Sequence, residues 1–127
     1  KTRVRGRIRV LCADDSVSIR KYVESLLKRE EYEVVTAQDG AEAYDLAEKS
    51  KYDLIMTDLE MPKMHGYELI SALRSKSQFN SIPIVILTAR SGEKHRRRGL
   101  ELGANAFLNK PFDVDELLNT IHSLLGK

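Results

Sequence analysis

Five times along this chain a short apolar run is followed by a stretch of helical periodicity, and that alternation restricts the fold more than any other feature. The runs are Ile8 to Ala13, Glu33 to Ala37, Leu54 to Thr57, Ile84 to Leu87 and Ala106 to Asn109. Runs of this length suit strands, and strands that alternate with helices build an α/β domain, a doubly wound parallel sheet with helices on both faces. Ile19, Val23, Leu26 and Leu27 follow helical spacing, and Ala43, Leu46 and Ala47 mark a second helix with Asp39 and Glu42 placed like a capping box. Leu69, Ile70 and Leu73 mark a third; Val114, Leu117, Leu118, Ile121 and Leu125 form the cleanest stripe, expected to lie on the sheet. The fourth helix, near 92–102, is different. Arg90, Lys94, Arg96, Arg97 and Arg98 crowd it, and Leu100 and Leu102 are its only large aliphatic side chains. Gly99 costs about 1 kcal/mol relative to alanine in a helix interior, so this element is expected to grip the core weakly and to be mobile.

With 127 residues, 42% of them hydrophobic, the chain is large enough for one domain with its own core. Its formal charge of +2 is set by Lys1, Arg3, Arg5, Arg7 and Arg9; taking those five positive charges from +2 leaves −3 for the remainder. The expected organisation is a linker or tail at 1–7 and one mildly acidic domain at 8–127. No aromatics are interleaved with the basic lead-in, so no direct nucleic-acid contact is expected from it. The lack of an initiator methionine is expected of an excised piece. Cys12, the single cysteine, lies inside the first run and reads as a small buried side chain. The longest aliphatic stretch, Ile84 to Leu87, falls far below the roughly 20 residues that span a bilayer. With no signal-peptide pattern either, the expectation is a soluble, cytoplasmic protein with no membrane partner.

Acidic residues close two of the runs: Asp14-Asp15 follow the first and Asp58 follows the third. Ligands of open parallel sheets bind beyond the carboxyl ends of the strands, so these carboxylates can converge there. In a dry site they would repel one another unless a proton or a divalent cation intervened, and Mg2+ accepts an octahedral shell of oxygens that includes one or two carboxylates. Asp15 and Asp58 are the expected direct ligands. With a cation and an ammonium group holding the phosphoryl oxygens, an aspartate can itself attack phosphorus. Thr88 ends the fourth run and can donate a hydroxyl proton; Lys110 ends the fifth and offers a compact positive charge. Lys110-Pro111 is also a bond at which a cis peptide is plausible. Each residue alone has a bland reading, a solvated strand end for Thr88 or Lys110 and a helix-entry cap for the Asp pair.

Taken jointly, in this order and spacing, these residues resemble the receiver domain of bacterial two-component response regulators over about Ile8 to Leu125. The acidic pair matches Asp14-Asp15, and the phosphoacceptor matches Asp58 in Asp58-Leu59-Glu60-Met61-Pro62-Lys63-Met64-His65-Gly66. Thr88 is similar to the family's switch hydroxyl and Lys110 to its lysine. The resemblance implies a flavodoxin-like (βα)5 fold with strand order 2-1-3-4-5. It implies Mg2+ held by Asp15, Asp58, the main-chain carbonyl of Glu60 and, through water, Asp14. The phosphoryl donor would be the phosphohistidine of a histidine kinase or phosphotransfer domain. Thr88 and Phe107 would form the switch, changing the surface around the fourth helix, fifth strand and fifth helix for a downstream protein partner or fused module. No enzymatic role is implied beyond the domain's own phosphorylation and dephosphorylation. Where many relatives carry tyrosine or histidine, Phe107 offers no polar tip. The segments Asp15 to Lys21 and Arg90 to Arg96 resemble receivers of chemotaxis-type or hybrid histidine kinases, so a module serving such a kinase as phosphate sink or relay is the alternative.

Glu60 is expected at the mouth of the pocket, where its charge would tune phosphoryl lifetime. Gly66 reads as a backbone requirement of its loop. His65, His95 and His122 have no partners at metal-ligand spacing, and the last two are expected at the surface. Other classes fit less well. A haloacid-dehalogenase-like phosphatase, also an aspartate nucleophile, resembles a pattern with a second aspartate where this chain has Glu60. A dinucleotide domain would need Gly-x-Gly-x-x-Gly after the first strand. A receiver reduced to docking would have lost the pocket, whereas Asp14, Asp15, Asp58, Thr88 and Lys110 are all present.

Overall fold

The computed structural model describes residues 7–126; most of the expected tail, 1–6, and Lys127 lie outside the described residues. Strands β1 (Arg9–Ala13), β2 (Glu33–Ala37), β3 (Leu54–Thr57), β4 (Ile84–Thr88) and β5 (Ala106–Asn109) alternate with helices α1 (Val17–Arg29), α2 (Gly40–Lys49), α3 (Gly66–Arg74), α4 (Glu93–Leu102) and α5 (Val114–Leu124). The strands form one parallel sheet in the order β2-β1-β3-β4-β5. This is the expected architecture. β1 begins one residue later than read from sequence, and β4 runs one further, taking Thr88 into the sheet.

Side chains alternate across the pleat, as they must in a strand. Leu11, Ile55, Ile84 and Ile86 face one side and pack with Leu69, Ile70 and Leu73 of α3 and the alanines of α2. Val10, Cys12, Leu54, Met56, Val85 and Leu87 face the other and pack with Val23, Leu26 and Leu27 of α1 and Leu117 and Ile121 of α5. Fully burying one such aliphatic side chain stabilises the fold by about 1.5–3 kcal/mol, so these two layers hold the sheet rigid beneath whatever its loops carry.

Several local readings are corrected. Asp39 caps α2 by accepting the Glu42 N–H at 2.8 Å, but the reciprocal bond from the Glu42 carboxylate goes to Gln38 N, not to the capping residue. Arg9, counted with the basic lead-in, belongs to the sheet: its Nη1 donates to Lys51 O at 2.9 Å and its guanidinium lies 4.8 Å from the Tyr52 ring centre. Gly99 is buried, and a Cβ there would lie 2.5 Å from Ile86 Cδ1. Its role is to let α4 approach β4, a packing requirement that propensity alone does not reveal. His122 is half-buried against α1's end, with Nε2 3.0 Å from Glu30 Oε1. The 3-10 turn Ser77–Phe79, which buries Phe79, was not apparent from periodicity.

Candidate functional site

The sheet order sends the chain in opposite directions from β1 and β3, which makes their carboxyl ends a switch point where side chains from neighbouring strands meet in a crevice. Ala13 and Thr57 are paired partners, and Asp58 N donates to Ala13 O at 3.0 Å while Asp14 N donates to Ala37 O at 3.0 Å. Asp14 and Asp58 therefore leave the sheet side by side. Asp14 is 2% exposed and Asp58 6%, whereas Asp15 faces solvent. One carboxylate oxygen from each of the three lies within 4.8 Å of the others.

Lys110 enters from β5 and bridges the two buried acids, donating to Asp14 Oδ2 at 2.6 Å and to Asp58 Oδ2 at 3.1 Å. Asp14 Oδ1 accepts the Ser16 N–H at 2.9 Å, and Asp58 Oδ1 accepts the Leu59 N–H at 2.6 Å with a longer contact from Glu60 N at 3.4 Å. Burial raises the Asp14 carboxyl above the usual range, an effect that the Lys110 and Ser16 hydrogen bonds offset only in part. Burial pulls the Lys110 ammonium down, yet its contacts with Asp14 and Asp58 prevail and it holds its proton above the ordinary lysine range. Cys12, beneath the site, has its thiol pushed up to about 12 by burial first and Asp14 second, so it is no nucleophile at neutral pH.

The loop after Asp58 is fixed by backbone economy. Thr57 Oγ1 donates to Asp58 O at 2.8 Å, Gly66 N donates to Leu59 O at 2.9 Å, and a Cβ at Gly66 would lie 2.2 Å from the Asp58 carbonyl oxygen. His65 caps α3 reciprocally with Glu68. Thr88, fully buried at the end of β4, accepts the Arg90 N–H at 3.2 Å on its hydroxyl oxygen, and its carbonyl accepts the Lys110 N–H at 2.8 Å. Phe107 is half-buried against the layer that contains α2 and α3. The Lys110-Pro111 peptide is cis.

Three contacts escaped the sequence reading. Glu60 Oε2 accepts both Nε and Nη2 of Arg90 at 2.7 Å, so the anion at the pocket mouth is paired. Asn109 Nδ2 donates to Thr88 O at 3.2 Å and Arg90 O at 2.5 Å, bracing the loop after β4. Arg20 donates to Asp14 O at 2.7 Å. His95, expected at the surface, is half-buried with Nδ1 3.1 Å from the Tyr67 hydroxyl.

A switch-point crevice lined by three aspartates and a lysine, on a five-stranded parallel sheet of this order, defines a receiver, and the chain belongs to the response regulator receiver domain family, whose model matches residues 10–122. It is thus a component of two-component signalling. Among solved structures it is similar to chemotaxis protein CheY4 of Vibrio cholerae, with 39% identity, a TM-score of 0.88, and coverage of 94% of this chain and 99% of that one. It is also similar to the receiver domain of sensor histidine kinase PA1611 from Pseudomonas aeruginosa PAO1, with 29% identity, a TM-score of 0.88, and coverage of 96% and 100%; that structure has a magnesium ion coordinated in its active site cleft. Among curated relatives, the cell cycle response regulator CtrA of Brucella ovis is 38% identical over 120 residues, 94% of this chain and 51% of that protein. The chain spans about half the length of the curated relatives it matches. No helix among the described residues is long and apolar enough to cross a membrane.

Proposed function

We propose that this receiver is a phospho-switch in which Asp58 accepts a phosphoryl group from the phosphohistidine of a histidine kinase or phosphotransfer domain, with Mg2+ in the acidic crevice. The observation that carries this reading is Lys110 Nζ on Asp58 Oδ2 at 3.1 Å, inside a cluster of three carboxylates. The donor set suits a hard divalent cation: hard oxygens, two buried and one exposed, with one carboxyl raised above its usual range by burial. Asp15, Asp58 and the Glu60 main-chain carbonyl would hold the ion directly, and Asp14 through water. When bound, Mg2+ would neutralise carboxylate charge and the charge that develops on the phosphoryl oxygens.

The chain's own groups supply the rest. Leu59 N–H and, more weakly, Glu60 N–H orient Asp58 through Oδ1. A carboxylate oxygen of Asp58 bonds to phosphorus as the bond from phosphorus to the donor's imidazole nitrogen breaks, the electron pair remaining on that nitrogen. Lys110 then transfers a hydrogen bond to a phosphoryl oxygen, and the Thr88 hydroxyl donates to another. Movement of Thr88 would draw on the Arg90 N–H it accepts, carrying the change into the loop before α4 and, with Phe107, to the surface of α4, β5 and α5. A downstream protein or fused module would read that surface. The domain is assigned to 8–127 with 1–7 as linker, in a cytoplasmic setting, acting on no substrate beyond its own phosphorylation. Likeness to the receiver domain of a sensor histidine kinase favours a second reading, a relay or phosphate-sink module of a hybrid kinase.

Incubation with acetyl phosphate and Mg2+ is expected to add one phosphoryl group by intact mass. Excess chelator and Asp58→Asn should each abolish the gain. A gain that persists in either case would overturn the reading.

A further inference from the structure

Asp15 is the least anchored of the three acids. It is exposed, and among the described residues no hydrogen bond or ion pair holds its carboxylate, so the backbone on either side sets its direction. On one side the Ser16 N–H donates to Asp14 Oδ1 at 2.9 Å. On the other, Arg20 reaches back from α1 and donates from Nη1 to the Asp14 main-chain oxygen at 2.7 Å. That carbonyl belongs to a residue only 2% exposed, and among the described residues it accepts no other hydrogen bond. The guanidinium has no carboxylate at ion-pair distance among them either; Glu24, one turn further on, is paired with Lys28 at 3.0 Å. A half-buried cation is thus devoted to the one carbonyl that joins two acids. Its charge reaches the base of the crevice, where burial and then Asp14 raise the Cys12 thiol and Lys110 and Arg20 oppose them.

We infer that Arg20 is a positioning residue for the cation site: by holding the Asp14 carbonyl it fixes the Asp14–Asp15 peptide and so aims the Asp15 carboxylate into the crevice. The peptide before Asp14 is already held, because Asp14 N donates to Ala37 O at 3.0 Å. The next peptide is a rigid plane, free to turn only through ψ of Asp14 and φ of Asp15. Pinning its oxygen locks the first torsion, and with it the path along which Asp15 leaves the backbone. An ionised donor makes that bond stronger than a neutral one would. Charge acts in the opposite direction. A guanidinium beside a cation site repels the cation, so charge alone predicts that removing Arg20 tightens Mg2+, whereas positioning predicts that removal loosens it. The inference rests on the proposed Mg2+ site and adds to it a residue that touches neither the ion nor the phosphoryl group.

Titration of isotope-labelled protein with Mg2+, followed by the amide resonances of Leu59 and Glu60, tests it without phosphorylation. Asp15→Asn serves as the reference for a lost ligand. Arg20→Met keeps the apolar stem and removes donor and charge; it should bind Mg2+ about tenfold more weakly than wild type, the lower end of the cost of losing an outer-shell partner of a metal ligand. Before any Mg2+ is added, its Asp14 carbonyl carbon should move upfield, as a carbonyl carbon does on losing a hydrogen bond. Arg20→Lys, a cationic donor on a shorter stem, should fall between the two on both measures. Binding by Arg20→Met within about threefold of wild type, or tighter, would reduce Arg20 to a surface charge and overturn the inference. A loss of affinity in either variant with the Asp14 carbonyl resonance unmoved would assign it to packing and overturn it as well. These failures are read against a wild type that binds; a wild type with no crevice shifts, or an Asp15→Asn protein that binds as tightly, would instead sink the Mg2+ reading and this inference with it.

Discussion

Asp14 carries the clearest conflict at the scale of single residues, because burial opposes its charge more than Lys110 and Ser16 relieve it. The folded state therefore binds the Asp14 proton more tightly than the unfolded chain does. The destabilisation is absent below the ordinary carboxylate range, grows as pH rises towards Asp14's own raised value, and is complete above it. Without Mg2+, Asp14→Asn is expected to raise Tm at pH 7, each kcal/mol appearing as about 4 °C, and the gain should fade on acidification; calorimetry across pH checks this, and a lower Tm at pH 7 would contradict it. Glu60 is the second test. Glu60→Ala and Glu60→Asn release Arg90 beside Asp58 and should change dephosphorylation by more than about twofold, whereas a smaller change makes the pair an ordinary surface contact worth under 1 kcal/mol. The three aspartates, Thr88 and Lys110 were legible as residues closing strands. The Glu60–Arg90 pair and the Asn109 brace were not, because side-chain pairing between loops depends on how far each loop projects.

Gly66 and α4 represent the element scale. At Gly66 the added methyl of an alanine would meet a backbone carbonyl, that of Asp58 at 2.2 Å, which no rotamer change relieves. Gly66→Ala is expected to destabilise by about 2 kcal/mol or more in urea titration, and to slow phosphorylation of what remains folded, since the Asp58 loop must shift; wild-type behaviour in both would show the loop to be pliable. The helix α4 follows Gly92, which offers it no side-chain cap, and buries only Gly99 fully, so amides near 92–99 should exchange fastest among the helices and slow when a phosphate mimic binds. Uniform protection would contradict that. Helices and strands were readable from their periods, 3.6 and 2. What periodicity missed were features set by neighbours: the methylene-width approach of α4 to β4 at Gly99, the Gln38 partner of Glu42, and the turn around Phe79.

For the whole molecule, topology does the chemical work: placing β1 between β2 and β3 brings residues 14 and 58 together, and β5 delivers Lys110 to both from the sheet's far side. Alternating runs indicated a doubly wound sheet, but strand order is not written in any run; it followed only from the joint pattern of site residues and their resemblance to receivers. Under the proposed function, this convergence makes Asp58, and neither Asp14 nor Asp15, the acceptor of phosphorus. Borohydride reduces an aspartyl phosphate to homoserine, which marks the acceptor in a peptide digest read by tandem mass spectrometry. After acetyl phosphate and Mg2+, homoserine at position 58 alone is the expected result; homoserine at 14 or 15, or at no position in protein that has gained phosphate, would contradict the account.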